Sequence, residues 1–480
     1  MGGLLLRGIR ALATLDPILG VLRDVDVRIR DRRVAEVSPG LVPEPGERVI
    51  DATGLVAYPG FVNTHHHLYQ TLQRCVPRVQ DVKLFDWLLG LYEVWRHLTP
   101  EGAFRAAQVG LAELLLSGCT TVSDHHYLFP VDQPADLLDA SIRAARDLGV
   151  RFHPTRGSMS LGRSGGGLPP DTVIQPEEEI LRDSERVIAA WHDPAPLSMC
   201  RVALAPCSPF SITPGLMRRT AALAREAGVR LHTHLAETRD EDDFCIRTLG
   251  MRPLAYMQSL GWVGEDVWYA HGVHFTDAEL DLLAATGTGV AHCPTSNLRL
   301  GSGIARVPEM LERGVPVGLA VDGSASNDCS GMLLEIRMAT LVHRVGTGVD
   351  RMSVGDALRI ATTGGARVLG RDDIGRIAPG MAADMALFDL GDVAFAGALH
   401  DPVAAPILSF GTGRAAYTIV NGRVVVDRGR LVTGELPEIT REANRIAGEM
   451  LATASARTGT DYLRGILRSP GAARRDPGSP

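Results

Sequence analysis

Three adjacent histidines, His65, His66 and His67, follow an apolar run and a Pro-Gly pair in AYPGFVNTHHHL. Side chains alternate between two faces of an extended segment, so His65 and His67 share a face and His66 points the other way, as a packing residue. An H-x-H pair offers two nitrogen donors to one metal ion. Alone it is a weak signal, but the chain carries more donors: His234 in LHTHLAE with Glu237 three residues on, His271 in YAHGVH, and Asp322 in LAVDG. Histidines and an aspartate brought together can hold Zn2+ or Fe2+ with a coordination position left open for water. Such an ion lowers the pKa of that water to about 7. A nearby carboxylic acid can then carry protons to a leaving group. The chemistry suggested is metal-assisted hydrolysis. Each residue also has a plainer use, since histidines pack in cores and Asp322 could cap the following helix. Their joint placement favours the site.

That placement depends on the elements carrying them. From about 60 to 370 one unit repeats: a short apolar strand ending in polar residues, then an Ala/Leu-rich helical stretch such as GLAELLLSG or LMRRTAALAREAG. The strands are GFVNTHHHL, CTTVSDHH, VRFHPTRGS, RVALAPCSP, VRLHTHLAE, VWYAHGVH, GVAHCPTSN and VPVGLAVDGSASND. Eight parallel strand–helix units close into a (β/α)8 TIM barrel, whose site residues sit at the C-terminal strand ends. The candidate donors all fall there. Both termini read as strands instead: VDVRIRDRRVAEV alternates apolar and charged residues, and in YTIVNGRVVVDRGRLV the Asn421-Gly422 pair marks a hairpin turn. The expected layout is α/β, with a barrel over 59–370 and a small β-sandwich built from 1–58 and 371–433. A C-terminal helix over 434–466 and a disordered Pro/Gly/Arg-rich tail over 467–480 complete it.

At 480 residues, with 45% hydrophobic and 22% charged residues, the chain can bury a large core. A net charge of −7 argues against non-specific nucleic-acid binding. No apolar run is long enough to span a bilayer, and no signal-peptide layout is present. The seven cysteines are scattered and include no CxxC pair, which suits a reduced compartment and predicts a cytoplasmic protein.

PGFVNTHHH, HLAET, the strand-six histidine and the strand-eight Asp-Gly together resemble the amidohydrolase superfamily, in its cytosine/guanine/adenosylhomocysteine deaminase branch. IGRIAPGMAADMALFDL resembles the C-terminal signature of that branch, and the match spans nearly the whole chain except the tail. The resemblance implies one divalent ion per chain, Zn2+ or alternatively Fe2+, held by His65, His67, His234 and Asp322. Glu237 would be the proton shuttle, His271 would orient the attacked group or water, and Asp322 would also act as base. Strand four, RVALAPCSPF, lacks the lysine that two-metal members use, so a single ion is expected. NTHHHLYQTL, GCTTVSDHHYLFP, RGSMSLG and APCSPFS are more narrowly similar to 8-oxoguanine deaminases, which form urate and ammonia. Isoxanthopterin or guanine deaminases and s-triazine amino- or chlorohydrolases are the alternatives, and a non-catalytic purine-binding protein is a distant one.

Three residues are candidates for substrate binding. Gln70 offers a donor and an acceptor to a purine edge, unless its amide braces the loop. Arg156 ends strand three and would read a carbonyl, unless it makes a structural salt bridge. Cys207 ends strand four, where a small thiol leaves room for an exocyclic oxygen, unless it is simply a buried small residue. LFDWLLGLYEVW is a candidate lid, and His125, His126, His292 and Asn297 are candidates to support the site. The expected partner is a small heteroaromatic substrate, with no nucleic acid or membrane, in a homo-oligomer.

Overall fold

The computed structural model describes residues 3–464; the tail expected over 467–480 lies outside the described residues. Eight strands, Phe61–Asn63, Cys119–His126, Arg151–Ser158, Ala203–Pro206, Arg230–Leu235, Val267–His271, Gly289–His292 and Val317–Leu319, lie side by side in chain order. All neighbours are parallel. First and last strands are joined at the top, where Thr64 N donates to Leu319 O at 3.1 Å and Asp322 N donates to His65 O at 3.2 Å. The expected barrel is therefore borne out. Every residue of Cys119–His126 and of Arg151–Ser158 is buried, as parallel strands must be when helices cover one face and a filled barrel the other.

Local chemistry explains the intervening helices. Pro100–Leu116 starts at Thr99, whose side chain accepts from Gly102 N, with Pro100 in the first turn where no N–H is needed. It buries Ala106, Ala107, Leu111, Leu114 and Leu115 against the barrel. Leu137–Leu148 stops at Gly149, whose φ of 76° closes the helix end in the left-handed conformation.

Strands from both termini join in one nine-stranded mixed sheet. Leu4–Ala13 runs antiparallel to Val21–Arg30 and parallel to Leu55–Pro59, and Leu55–Pro59 pairs antiparallel with Met385–Asp389, which links the two ends of the chain. The hairpin at Asn421-Gly422 joins Tyr417–Val420 to Arg423–Asp427, with both turn residues at positive φ. This sheet has its own apolar core, including Leu6, Ile9, Val27, Ala57, Met385 and Ile419. The buried Arg151–Asp384 pair, at 3.0 Å, ties it to the barrel. A final helix, Leu436–Thr458, buries Ala443, Ile446, Met450 and Ala454.

Candidate metal centre and active site

The histidines lie just past the end of the first strand, Phe61–Asn63, and face as the two-residue alternation predicts. His65 and His67 point into the barrel mouth, while His66 faces outward, 3.0 Å from Ser330 Oγ. His67 Nδ1 donates to the His125 carbonyl at 2.7 Å, and His234 Nδ1 donates to the Cys207 carbonyl at 2.7 Å. Those bonds fix both tautomers and leave each Nε2 with a lone pair. His65 is fixed by a longer chain. His232 Nδ1 donates to Trp268 O at 2.9 Å, so His232 Nε2 accepts from His65 Nδ1 at 2.7 Å, and His65 Nε2 is also left as an acceptor.

Three lone pairs therefore face one point. His67 Nε2 and His234 Nε2 are 3.0 Å apart, and Asp322 Oδ1 lies 3.3 Å from His65 Nε2 and 3.4 Å from His67 Nε2. Two imidazole lone pairs at that separation repel unless a cation sits between them. Donors about 2.0–2.1 Å from an ion at tetrahedral angles stand roughly 3.3–3.4 Å apart, so this spacing is that of a coordination shell. His65 Nε2 has no hydrogen-bond partner although it is buried. Burial also pushes the His65, His67 and His234 imidazoles below their usual range, keeping them neutral and able to bind a metal. The donor set fits a divalent cation.

Asp322 is oriented to match. Its Oδ2 accepts from Ser296 Oγ at 2.5 Å and Ser326 Oγ at 3.2 Å, which turns Oδ1 toward the imidazoles. Burial alone would raise its pKa. The imidazoles of His65, His271 and His67 around it outweigh burial and hold it well below the usual carboxylate range.

Glu237 and His271 form a second pair, Oε2 to Nε2 at 3.5 Å. His271 Nδ1 donates to Asn297 Oδ1 at 2.9 Å. By strand register His271 partners Leu235, an outward residue of the core between strands and helices. A φ of +74° at His271 turns the ring into the barrel, where it stacks on His234 at 5.5 Å between centroids. Asp322 at φ +63° and Ala236 at +53° are re-aimed in the same way. Such conformations cost about 1–3 kcal/mol each outside glycine and cluster at functional sites. The Ala236 and Glu237 amides both donate to the buried Glu241 carboxylate, at 3.0 and 2.9 Å, which braces the loop carrying Glu237. Burial lifts the Glu237 carboxyl to about 7; Asp322 adds to the lift and His271 opposes it. Burial works against a charged His271, but Glu237 and Asp322 outweigh it and raise its pKa.

Beside this group lies a cavity of only about 30 Å³, room for little more than water. Gln70, Tyr127, Cys207 and Ser326 line it, and Leu84, Trp87, Leu88 and Tyr92 of helix Leu84–Trp95 cover it. This helix, which its sequence offers either as a lid or as plain packing, thus lies against the site. Gln70 packs on Gly323, where a Cβ would stand 1.9 Å from its Oε1, and that buried Oε1 has no partner. Burial pushes the Cys207 thiol up to about 12, so it stays neutral.

Arg156 does not reach the pocket, and its expected role as a carbonyl reader is corrected. Its register partner is His126, on the outer face of the strands. There the guanidinium lies over Phe129 at 3.8 Å and pairs with Asp183 at 2.6 Å on helix Glu177–Trp191. His126 packs on the same Phe129, and His292 also faces outward, to His343 at 3.1 Å. His125 faces inward and stacks on His234 at 4.7 Å. Sequence reading missed His232, Glu241, Ser296 and Ser326. Only His232 had a visible signal, as the first histidine of a second H-x-H pair with His234; the others act through partners distant in sequence.

Comparison with known proteins gives a consistent picture. The amidohydrolase family model matches residues 56–425. An 8-oxoguanine deaminase of Pseudomonas aeruginosa is 47% identical over 428 residues, covering 88% of this chain and 94% of that protein. An isoxanthopterin deaminase from an unknown prokaryotic organism is 41% identical, covering 89% of this chain and 92% of that protein. Among solved structures, atrazine chlorohydrolase from Arthrobacter aurescens TC1 complexed with zinc superposes with a TM-score of 0.89 at 35% identity, over 92% of this chain and 100% of that one.

Proposed function

The chain belongs to the amidohydrolase family, a metal-dependent group, and from that premise we propose that it hydrolytically deaminates a purine-like ring, converting 8-oxoguanine to urate and ammonia. One observation carries the reading: neutral His65, His67 and His234 stand within contact distance of one another or of the anionic Asp322, beside a buried carboxyl, Glu237, lifted to about 7. One divalent ion per chain, Zn2+ with Fe2+ as the alternative, would be held by His65, His67, His234 and Asp322. The zinc in the chlorohydrolase structure supports that choice. When bound, such an ion supplies a Lewis acid that acidifies water.

The residues of the chain move the protons. Asp322 takes a proton from the attacking water as its oxygen bonds to the ring carbon bearing the amino group. Glu237 gives its proton to the adjacent ring nitrogen. Asp322 then returns its proton to the departing amine, the C–N bond breaks and ammonia leaves. The hydroxyl proton of the addition product restores Glu237, and the ring keeps a carbonyl. His271, held by Asn297, keeps Glu237 and the attacked group in register.

For recognition, the unpartnered Gln70 Oε1 is available to a ring N–H, and Cys207 leaves space at the pocket wall for an exocyclic oxygen. Similarity to an isoxanthopterin deaminase keeps the pterin as the second reading. The seven free cysteines, and the absence of any long apolar helix among the described residues, support a cytoplasmic enzyme, which we expect to be a homo-oligomer. The test is ammonia release from 8-oxoguanine, guanine, isoxanthopterin, cytosine and a hydroxylated s-triazine side by side. The highest kcat/KM is expected with 8-oxoguanine. A higher value for another ring reassigns the substrate, and no release from any, with purine binding retained, makes the chain a binding protein.

A further inference from the structure

At the opposite end of the barrel from the metal centre, a cleft of about 360 Å³ opens between the strand starts and the terminal sheet. Its walls are apolar: Ile142 and Ala145 of helix Leu137–Leu148, Phe152 at the start of a barrel strand, Trp191 and Met199. Trp191 is fixed in place because its Nε1 donates to Asp139 Oδ1 at 2.7 Å, and Asp139 is further committed to Arg186. Three exposed arginines, Arg32, Arg146 and Arg423, stand at the edge of the cleft. Among the described residues none of the three has a carboxylate partner, whereas arginines nearby do: Arg151 pairs with Asp384 and Arg48 with Asp427.

We propose that this cleft is a second ligand site, built for a compact aromatic anion such as an aryl carboxylate or sulfonate. The walls favour a ring, since apolar surface and the indole and phenyl faces gain by excluding water from a flat apolar body. The rim favours an anion, since guanidinium groups donate to carboxylate or sulfonate in a fixed fork and stack on aromatic faces. A neutral sugar gains little from the walls, and a cation is repelled by the rim. The arginines create a local positive patch on a chain whose net charge is −7, so anion binding there is a property of the cleft and not of the molecule as a whole. The metal centre uses none of these residues.

The test uses the full-length, metal-loaded protein and two probes of nearly the same shape, anilinonaphthalene sulfonate and uncharged phenylnaphthylamine. The sulfonate should bind with about one equivalent per chain and be excited by energy transfer from tryptophan, and Trp191→Phe should remove most of that transfer. Arg146→Glu/Arg423→Glu should weaken the sulfonate at least tenfold and leave the uncharged probe unchanged, and Arg146→Gln/Arg423→Gln should fall between. Both variants should retain deaminase turnover, which shows that they are folded. Equal binding of the two probes, sulfonate affinity unchanged in the charge-reversed variant, transfer unchanged in Trp191→Phe, or displacement of the sulfonate by 8-oxoguanine would each overturn the assignment.

Discussion

Replacing Glu237 by glutamine separates proton transfer from everything else the residue does. The carboxyl is buried, lies 3.5 Å from His271 Nε2, and is lifted by burial from an ordinary 4.5 to about 7. Glutamine has nearly the same shape and cannot donate a carboxyl proton, so metal content should stay unchanged while kcat falls by about 10²–10⁴. That loss corresponds to roughly 3–5 kcal/mol of barrier. Wild-type kcat/KM should fall as pH rises through the Glu237 pKa, because the donor must be protonated, and the glutamine variant should lack that limb. The positive charge of a bound ion moves the limb below about 7. The same lift predicts a stability effect. A carboxyl whose folded pKa is raised contributes stability that is fully present below the unfolded value of about 4.5 and is lost as pH rises through the folded value. The loss amounts to roughly 3 kcal/mol above pH 7. Metal-stripped Glu237→Gln should therefore match stripped wild type near pH 4.5 and exceed its stability by up to that amount near pH 8. Ammonia-coupled turnover, elemental analysis and urea unfolding across that range provide the readouts. Full activity in the variant, or loss of its metal, refutes the shuttle assignment. Equal stabilities near pH 8 refute the burial argument behind the lifted pKa.

Purified protein should carry about one equivalent of zinc or iron; His65→Ala and Asp322→Ala should lose metal and activity together, while His66→Ala, which faces Ser330, should keep most of both. Two equivalents by elemental analysis would contradict a single-ion centre. His232→Phe removes the acceptor that fixes the His65 tautomer and should weaken metal affinity about 10–100-fold, read by competition with a chelator. Arg156→Met should leave KM unchanged and cost about 3 kcal/mol in unfolding, because buried Asp183 loses one of its two arginines; a raised KM with intact stability would return Arg156 to the substrate pocket.

The eight strand–helix units, the hairpin at Asn421-Gly422 and the opposite facing of His65 and His66 were legible in the sequence, because each follows from short-range periodicity or turn chemistry. Glu237 stood out as a carboxyl three residues beyond a histidine at a strand end. The same alternation misleads at His271: register partners it with the outward Leu235, and only a left-handed φ, imposed by the loop after the strand, brings its ring inward. Arg156 was ambiguous for the matching reason. Its side is set by register with His126, and its partner Asp183 lies on a helix that reaches it only after folding. The Ser296 and Ser326 hydroxyls that turn Asp322, and the Glu241 carboxylate that braces the Glu237 loop, have no pattern of their own. Periodicity is local and survives in the sequence; the aim of a side chain at a strand end depends on one backbone angle and on neighbours supplied by other strands, which only the closed barrel brings together.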